Sequence, residues 1–377
     1  MTVELIGDQL LFRTTTRQFL DRTVPITAVR ELGDSGASVD RGWWRRGAEL
    51  GWTAMLVPET LGGGTVSGHP ATELALVAGE FGRTCAPGPL IPTSAVLTGL
   101  VAAGDRFAEV IGSILSGDTL GAWALYEPGH GLELHGGETR AEPDGDGGYR
   151  LTGLKDRVES GDCADVFLVT AHGPDGPIQV VVPADAPGVT VTPTWTLDLV
   201  RRTARVAFDH VPIGASAVVQ VGESAAAAAQ SQLNIAAALT AAESVGATQR
   251  VFDTTVTWMF DRYTFGRPLA SYQALKHRMA DNKTWLEACH ATARAAAAAI
   301  DDTPATAPEL VSVAKSYVGA KATTIVQDCV QIHGGIGVTW EHDLHLFLRR
   351  VTLGRALYGT PEEHHRLITD LLLRSAA

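Results

Sequence analysis

The chain predicts an α+β protein in three parts: an all-helical N-terminal domain, a middle β-barrel or sandwich domain, and a C-terminal four-helix bundle. Apolar residues recur at helical spacing over residues 1–117, change to a period of two over 118–220, and return to helical spacing over 221–377.

In the first part, Leu10, Phe12, Phe19 and Leu20 mark one face of a helix, and the connections carry Gly and Pro. A turn cluster follows, Gly51-Trp52, Val57-Pro58-Glu59 and Gly62-Gly63-Gly64. In the second part, Val166-Phe167-Leu168-Val169, Ile178-Gln179-Val180-Val181-Val182 and Val189-Thr190-Val191-Thr192 are short β-prone runs separated by Gly, Asp and Pro. Asp144-Gly145-Asp146-Gly147-Gly148 has the chemistry of a hairpin turn. In the third part the spacing predicts helices over about 223–260, 271–301, 307–333 and 342–374. The alanine run Ala225 to Ala229 opens the first of them rather than a linker, because Leu233, Ile235, Leu239 and Val245 continue its apolar face.

At 377 residues, 45% hydrophobic and 19% charged, the composition is that of a soluble globular chain of two or three domains. A formal charge of −12 argues against a nucleic-acid or anionic-membrane surface. No apolar run approaches the roughly 20 residues that span a bilayer. Met1-Thr2-Val3-Glu4 lacks the basic and apolar pattern of a signal peptide, so a cytoplasmic location is expected. Cys85, Cys163, Cys289 and Cys329 are scattered without CxxC spacing, which predicts thiols rather than disulfides or zinc ligands. No GxSxG elbow, P-loop or GxGxxG supports a hydrolase or a nicotinamide enzyme.

Two segments carry the functional signal. The first is Arg262-Tyr263-Thr264-Phe265-Gly266-Arg267-Pro268-Leu269, with Tyr272 and Gln273 just beyond. Arg262 offers a planar, permanently charged fork suited to a pyrophosphate, Phe265 an apolar face, and Gln273 paired donor and acceptor atoms. The second is Gln331-Ile332-His333-Gly334-Gly335-Ile336-Gly337, where Gly334 and Gly335 allow backbone N–H groups close to a ligand.

In order and spacing these segments resemble the cofactor clamp of the acyl-CoA dehydrogenase family, flavoenzymes that desaturate acyl thioesters between Cα and Cβ. The resemblance covers essentially the whole chain and implies FAD as cofactor. It assigns Arg262, Thr264, Phe265, Leu269, Tyr272 and Gln273 to the diphosphate and adenosine of a flavin held mainly by a neighbouring subunit. It assigns Gln331, Gly334 and Gly335 to the adenosine end and Thr360 to a flavin contact. Thr360-Pro361-Glu362-Glu363 also reads as a capping box with proline at the first helical position. Further implications are an acyl-CoA or acyl-carrier thioester substrate, electron-transfer flavoprotein or another acceptor, and a homo-oligomer or a paralogous subunit assembled through the bundle.

The redox end departs from the family. Where its members have Thr-Glu-Pro-Gly and Lys-x-Trp-Ile-Thr, this chain has Tyr126-Glu127-Pro128-Gly129 and Lys155-Asp156-Arg157-Val158-Glu159, so the three ring-facing positions hold Tyr126, Arg157 and Glu159. The family's usual glutamate base, immediately before Gly-Thr, is replaced by Tyr358, and its alternative position on the long helix holds Ala236. Glu243, two turns beyond Ala236 and about 10.5 Å further along the axis, is the carboxylate within the apolar part of that helix. It has three readings: a relocated base, a polar floor for a short or polar acyl group, or a structural ion pair. Glu362 and Glu363 are accounted for by helix capping. Glu341-His342-Asp343-Leu344-His345, with His364-His365 following, lies in a region that resembles the family's Trp-Glu-His segment leading into the last helix, and no metal site is expected. Leu197-Asp198-Leu199-Val200-Arg201-Arg202 resembles a subgroup in which some members are the less catalytic partner of a two-gene enzyme. The chain therefore reads as an acyl-CoA dehydrogenase-like flavoprotein. The alternatives are a catalytically silent partner subunit or a member diverged toward other chemistry on a carrier-bound substrate.

Overall fold

The computed structural model describes residues 5, 7–37, 39–135, 137–145 and 147–376; expectations resting on Met1–Glu4 and on Asp146 lie outside them. Six helices come first: α1 (Gly7–Thr23), α2 (Ile26–Ser35), α3 (Arg41–Glu49), α4 (Pro70–Thr84), α5 (Leu90–Val101) and α6 (Ala108–Leu115). Phe19, Trp43, Trp44, Trp52 and Phe81 make their aromatic centre, with Trp52 and Phe81 edge-to-face at 4.9 Å.

The strands follow: β1 (Gly121–Ala124), β2 (Arg140–Pro143), β3 (Tyr149–Glu159), β4 (Val166–Gly173), β5 (Gly176–Pro183), β6 (Val189–Thr194), β7 (Thr203–Ile213) and β8 (Val218–Val221). Among the described residues they form one mixed sheet in the order β6-β7-β3-β2-β4-β5-β8, with β1 parallel to β4. The period-two pattern has a direct cause. On β4, Phe167 and Val169 enter a core internal to the sheet, while Leu168 between them joins the helical core. The expected hairpin joins β2 and β3, where the Gly148 amide donates to the Asp144 carboxylate at 3.0 Å.

α7 (Gly222–Asp261) runs to 40 residues and starts at the alanine run. A two-stranded hairpin, β9 (Tyr263–Thr264) and β10 (Arg267–Pro268), leads into α8 (Gln273–Asp302) and α9 (Ala307–His333). The helix expected over 342–374 is instead two, α10 (Leu344–Ala356) and α11 (Pro361–Ala376). The break lies at Tyr358 and Gly359, both in left-handed conformation with φ of 54° and 97°.

Two features fix α7 against the rest. Buried Gln232 accepts from Gln179 on β5 at 2.6 Å and donates to the Ala95 carbonyl of α5 at 3.0 Å, tying sheet and helices together. Further along, α4 and α7 touch backbone to backbone: a Cβ on Gly82 would lie 1.8 Å from the Glu243 carbonyl oxygen, and one on Gly246 1.9 Å from that of Gly79. Glycine is required at this crossing, and the crossing sets the position of Glu243.

Candidate flavin clamp and the closed acyl site

The clamp begins where α7 stops. Arg262 turns to extended geometry, its N–H closing the helix on the Trp258 carbonyl at 2.8 Å, and the Leu269 amide donates to its carbonyl at 2.8 Å. Tyr272 locks the hairpin by donating its hydroxyl to the Thr264 carbonyl at 2.7 Å. Phe265 at the tip is 95% exposed with φ 51°, and Arg262 and Gln273 are exposed. The second segment ends α9. Gln331, Gly334 and Gly335 are exposed, and a Cβ at either glycine would meet nothing within 4 Å. Trp258 and His333 join the two segments, their rings stacked at 5.1 Å and 17°, and the Arg262 guanidinium lies over Trp258 at 5.9 Å. The clamp is thus an assembled, solvent-facing surface whose apolar tip and glycine backbone are uncovered.

Thr360 lies elsewhere, at the head of α11. Its amide donates to Glu363 at 2.7 Å while the Glu363 amide donates to its hydroxyl at 3.2 Å, a complete capping box. Glu363 also accepts from Leu132 at 2.7 Å, which pins the Pro128–Leu132 turn to α11.

The ring-facing positions are filled by the chain itself. Arg157, strained at φ 48°, stacks on Tyr126 at 4.5 Å and donates to the His130 carbonyl at 2.8 Å. The Tyr126 hydroxyl accepts from the Gly359 amide at 3.1 Å. Beneath them Glu127 receives Lys155 at 2.7 Å and the Thr139 amide at 2.9 Å. Burial works to raise the Glu127 carboxyl, but Lys155 and the amide donors outweigh it and hold it at about 2. These scaffold residues are structural.

Between Tyr358 and α10 runs a buried chain of charges. Tyr358 donates its hydroxyl to Glu159 at 2.8 Å, and Glu159 accepts from Arg201 at 2.6 Å. Arg201 also binds one oxygen of Glu243, whose other oxygen accepts from Arg350 at 2.9 Å. Arg350 reaches Asp198 at 2.5 Å and the carbonyls of Ala86 and Cys85 at 3.1 and 3.2 Å. Every side chain in the chain is at least nine-tenths buried. Both oxygens of Glu243 are engaged, the geometry of the ion-pair reading. Burial, reinforced by Glu159, pushes the Tyr358 phenol well above its ordinary value, so it stays protonated and cannot act as a base near neutrality. The cavity lined by Phe81, Ile91, Arg201, Glu243 and Arg350 holds about 20 Å³, space for about one water. Ala236 is fully buried in the helical core.

Sequence reasoning singled out Glu159, Glu243 and Tyr358 but not their partner Arg350, nor Trp258 behind the clamp. The available signal was the pair Arg349-Arg350 inside the apolar run of α10. Among the described residues no cluster of His, Cys, Asp and Glu could hold a metal. His364 is consumed structurally, bonded to the Tyr358 carbonyl at 2.8 Å and to Ser312 at 3.1 Å. The four cysteines are free. No helix among the described residues is long and apolar enough to cross a membrane.

A helical domain, a mixed sheet and a helical bundle, in this order, are the architecture of the acyl-CoA dehydrogenase fold. The chain matches the acyl-CoA dehydrogenase N-terminal domain over residues 7–106, the middle domain over 122–211 and the C-terminal domain over 226–373. It belongs to the acyl-CoA dehydrogenase family, whose cofactor is FAD. Acyl-CoA dehydrogenase IpdE2 of Mycolicibacterium smegmatis is 30% identical over 94% of this chain and 96% of its own. A glutaryl-CoA dehydrogenase from Mycobacterium smegmatis in complex with FADH2 superposes with a TM-score of 0.89 at 26% identity, covering 99% of this chain and 96% of that one. The ChsE4-ChsE5 complex from Mycobacterium tuberculosis superposes with a TM-score of 0.87 at 25% identity, covering 99% of each chain. The uncovered Arg262 and Gln273 side chains and Gly334–Gly335 backbone carry donors suited to the diphosphate and adenosine end of FAD; at the positions that the resemblance assigns to its ring, Arg157 lies over Tyr126 at 4.5 Å.

Proposed function

We propose that this chain is the non-catalytic subunit of a heteromeric acyl-CoA dehydrogenase, lending its clamp to the FAD of a paralogous partner that carries the base. The observation that carries this reading is the buried ion chain from Tyr358 to Asp198. It engages Glu159, Glu243 and Asp198, and the cavity beside Glu243, about 20 Å³, is too small for an acyl group. Desaturation requires a carboxylate with an available oxygen beside Cα, and FAD supplies the hydride acceptor. On this chain Arg262 binds the diphosphate, Phe265 and Gln273 cover and orient the adenosine, and the Gly334–Gly335 backbone closes on it. The precedent of a two-component complex with the same fold, ChsE4-ChsE5, supports a paralogous partner. The acyl thioester, on coenzyme A or a carrier protein, is then bound and oxidised on the partner.

The test is co-expression with paralogues encoded nearby, followed by size exclusion and a visible spectrum. The expected result is a colourless chain alone, a yellow complex, and one FAD per pair of chains. A chain that purifies yellow by itself and reduces an acceptor with acyl-CoA would overturn the reading.

A further inference from the structure

The hairpin after α7 carries a second arginine, Arg267, to which no role has been given above. Its register decides where that arginine points. Arg267 pairs with Thr264, and Leu269 bonds back to Arg262. Cross-strand partners share a face and successive residues alternate, so Arg262, Thr264, Arg267 and Leu269 stand on the same side of the hairpin.

The two guanidiniums are held alike. Arg262 lies over Trp258 at 5.9 Å and Arg267 over Tyr272 at 4.0 Å. Tyr272 is itself fixed by its bond to the Thr264 carbonyl. Neither guanidinium has a carboxylate or carbonyl partner among the described residues. A guanidinium lying against a ring keeps its in-plane N–H donors available, while the ring restricts the rotamers that binding would otherwise have to freeze. Two restrained cations with free donors, flanking a threonine hydroxyl on one face, match an anion of two linked charges.

We propose that Arg267 is a second diphosphate-binding residue, acting with Arg262 so that each guanidinium takes one phosphoryl group. This rests on the clamp reading above and extends it from one cation to two. Tyr272 is the positioning residue for Arg267, as Trp258 is for Arg262.

The test is calorimetric titration of the FAD-free complex of this chain with its paralogous partner, with FAD, ADP and adenosine. R267A is expected to weaken FAD and ADP about tenfold, the weight of one charge-assisted hydrogen bond, and to leave adenosine and the melting temperature unchanged. R267K is expected to recover part of the loss, since an ammonium keeps the charge without the fork. A parent protein that binds ADP and an R267A variant that binds it equally well overturns the second arginine and leaves the clamp standing. Equal loss for ADP and adenosine also overturns it, because the effect would not read the phosphates. A parent that binds none of the three overturns both proposals.

Discussion

At the hairpin after α7, Arg262 and Arg267 rest on aromatic rings with their hydrogen-bond donors free. Between the sheet and α7, Arg201 and Arg350 engage three carboxylates and two backbone carbonyls. The same side chain thus serves opposite ends. Where the protein leaves a cation unneutralised beside uncovered backbone, the site is open to an anion from outside. Where it supplies its own anions in dry surroundings, a substrate has nothing left to bind. Arg201 and Arg350 show the second condition in their acidity: burial works against their charge, yet the neighbouring carboxylates outweigh it and keep both protonated.

The sharpest way to break this contrast is to remove the centre of the buried chain. E243A removes the carboxylate that bridges two guanidiniums and leaves Arg201 paired with Glu159 and Arg350 with Asp198. The expected cost, from two lost charge-assisted hydrogen bonds and a cavity, is about 2–4 kcal/mol in denaturant unfolding, with flavin binding by the assembly unchanged. A small stability loss accompanied by loss of acyl-CoA oxidation would instead give Glu243 a part in the chemistry.

A second prediction concerns the turn at Tyr358 and Gly359. Lys315, fully buried, donates to the Gly359 carbonyl at 2.6 Å and to that of Arg355 at 3.2 Å, and burial followed by the nearby Arg201 lowers it from 10.5 to about 7. The unfolded chain therefore holds this proton up to about 10.5, while the folded chain releases it near 7. Stability attributable to Lys315 rises as pH goes from about 7 to 10.5 and is lost on the way down. Unfolding free energies of the parent and K315M, compared at pH 7 and pH 9, are expected to differ in that sense; a difference that does not change with pH would contradict it.

On the open side the effects are smaller and of another kind. R262A is expected to weaken ADP and FAD binding about tenfold while moving unfolding stability by less than about 0.5 kcal/mol, the reverse of E243A. Smallest of all is the gain from restoring an acid at the usual base position. Y358E is expected to add no measurable acceptor reduction with acyl-CoA, because the new carboxylate faces Glu159 and the acyl space stays filled. Turnover above the parent would show that the pocket opens.

The three-part fold was legible because it is written in local pattern, periods of 3.6 and 2, and the two segments of the proposed clamp stood out by glycine, arginine and glutamine at fixed offsets. The long terminal helix was misjudged because Leu344 to Leu373 keeps one apolar periodicity through the break. Only the left-handed backbone at Tyr358 and Gly359, held from below by Lys315 and His364, interrupts it. The missing acids at Ala236 and Tyr358 were visible in the sequence, but what replaced them was not. Asp198, Arg201, Glu243 and Arg350 come from a loop and two helices far apart in the chain, and no spacing rule links them.

The ion chain also constrains the history of this protein. Its two cations are the critical members: losing Arg201 leaves Glu159, and losing Arg350 leaves Asp198, buried without a counter-ion, at about 3–5 kcal/mol per step. Nor can the backbone at Glu243 shift, since its carbonyl lies against Gly82 of α4 with no room for a Cβ. A return to an open acyl pocket therefore requires several replacements at once. On the reading proposed above, the network would act as a ratchet that keeps this chain dependent on a partner for the catalytic acid.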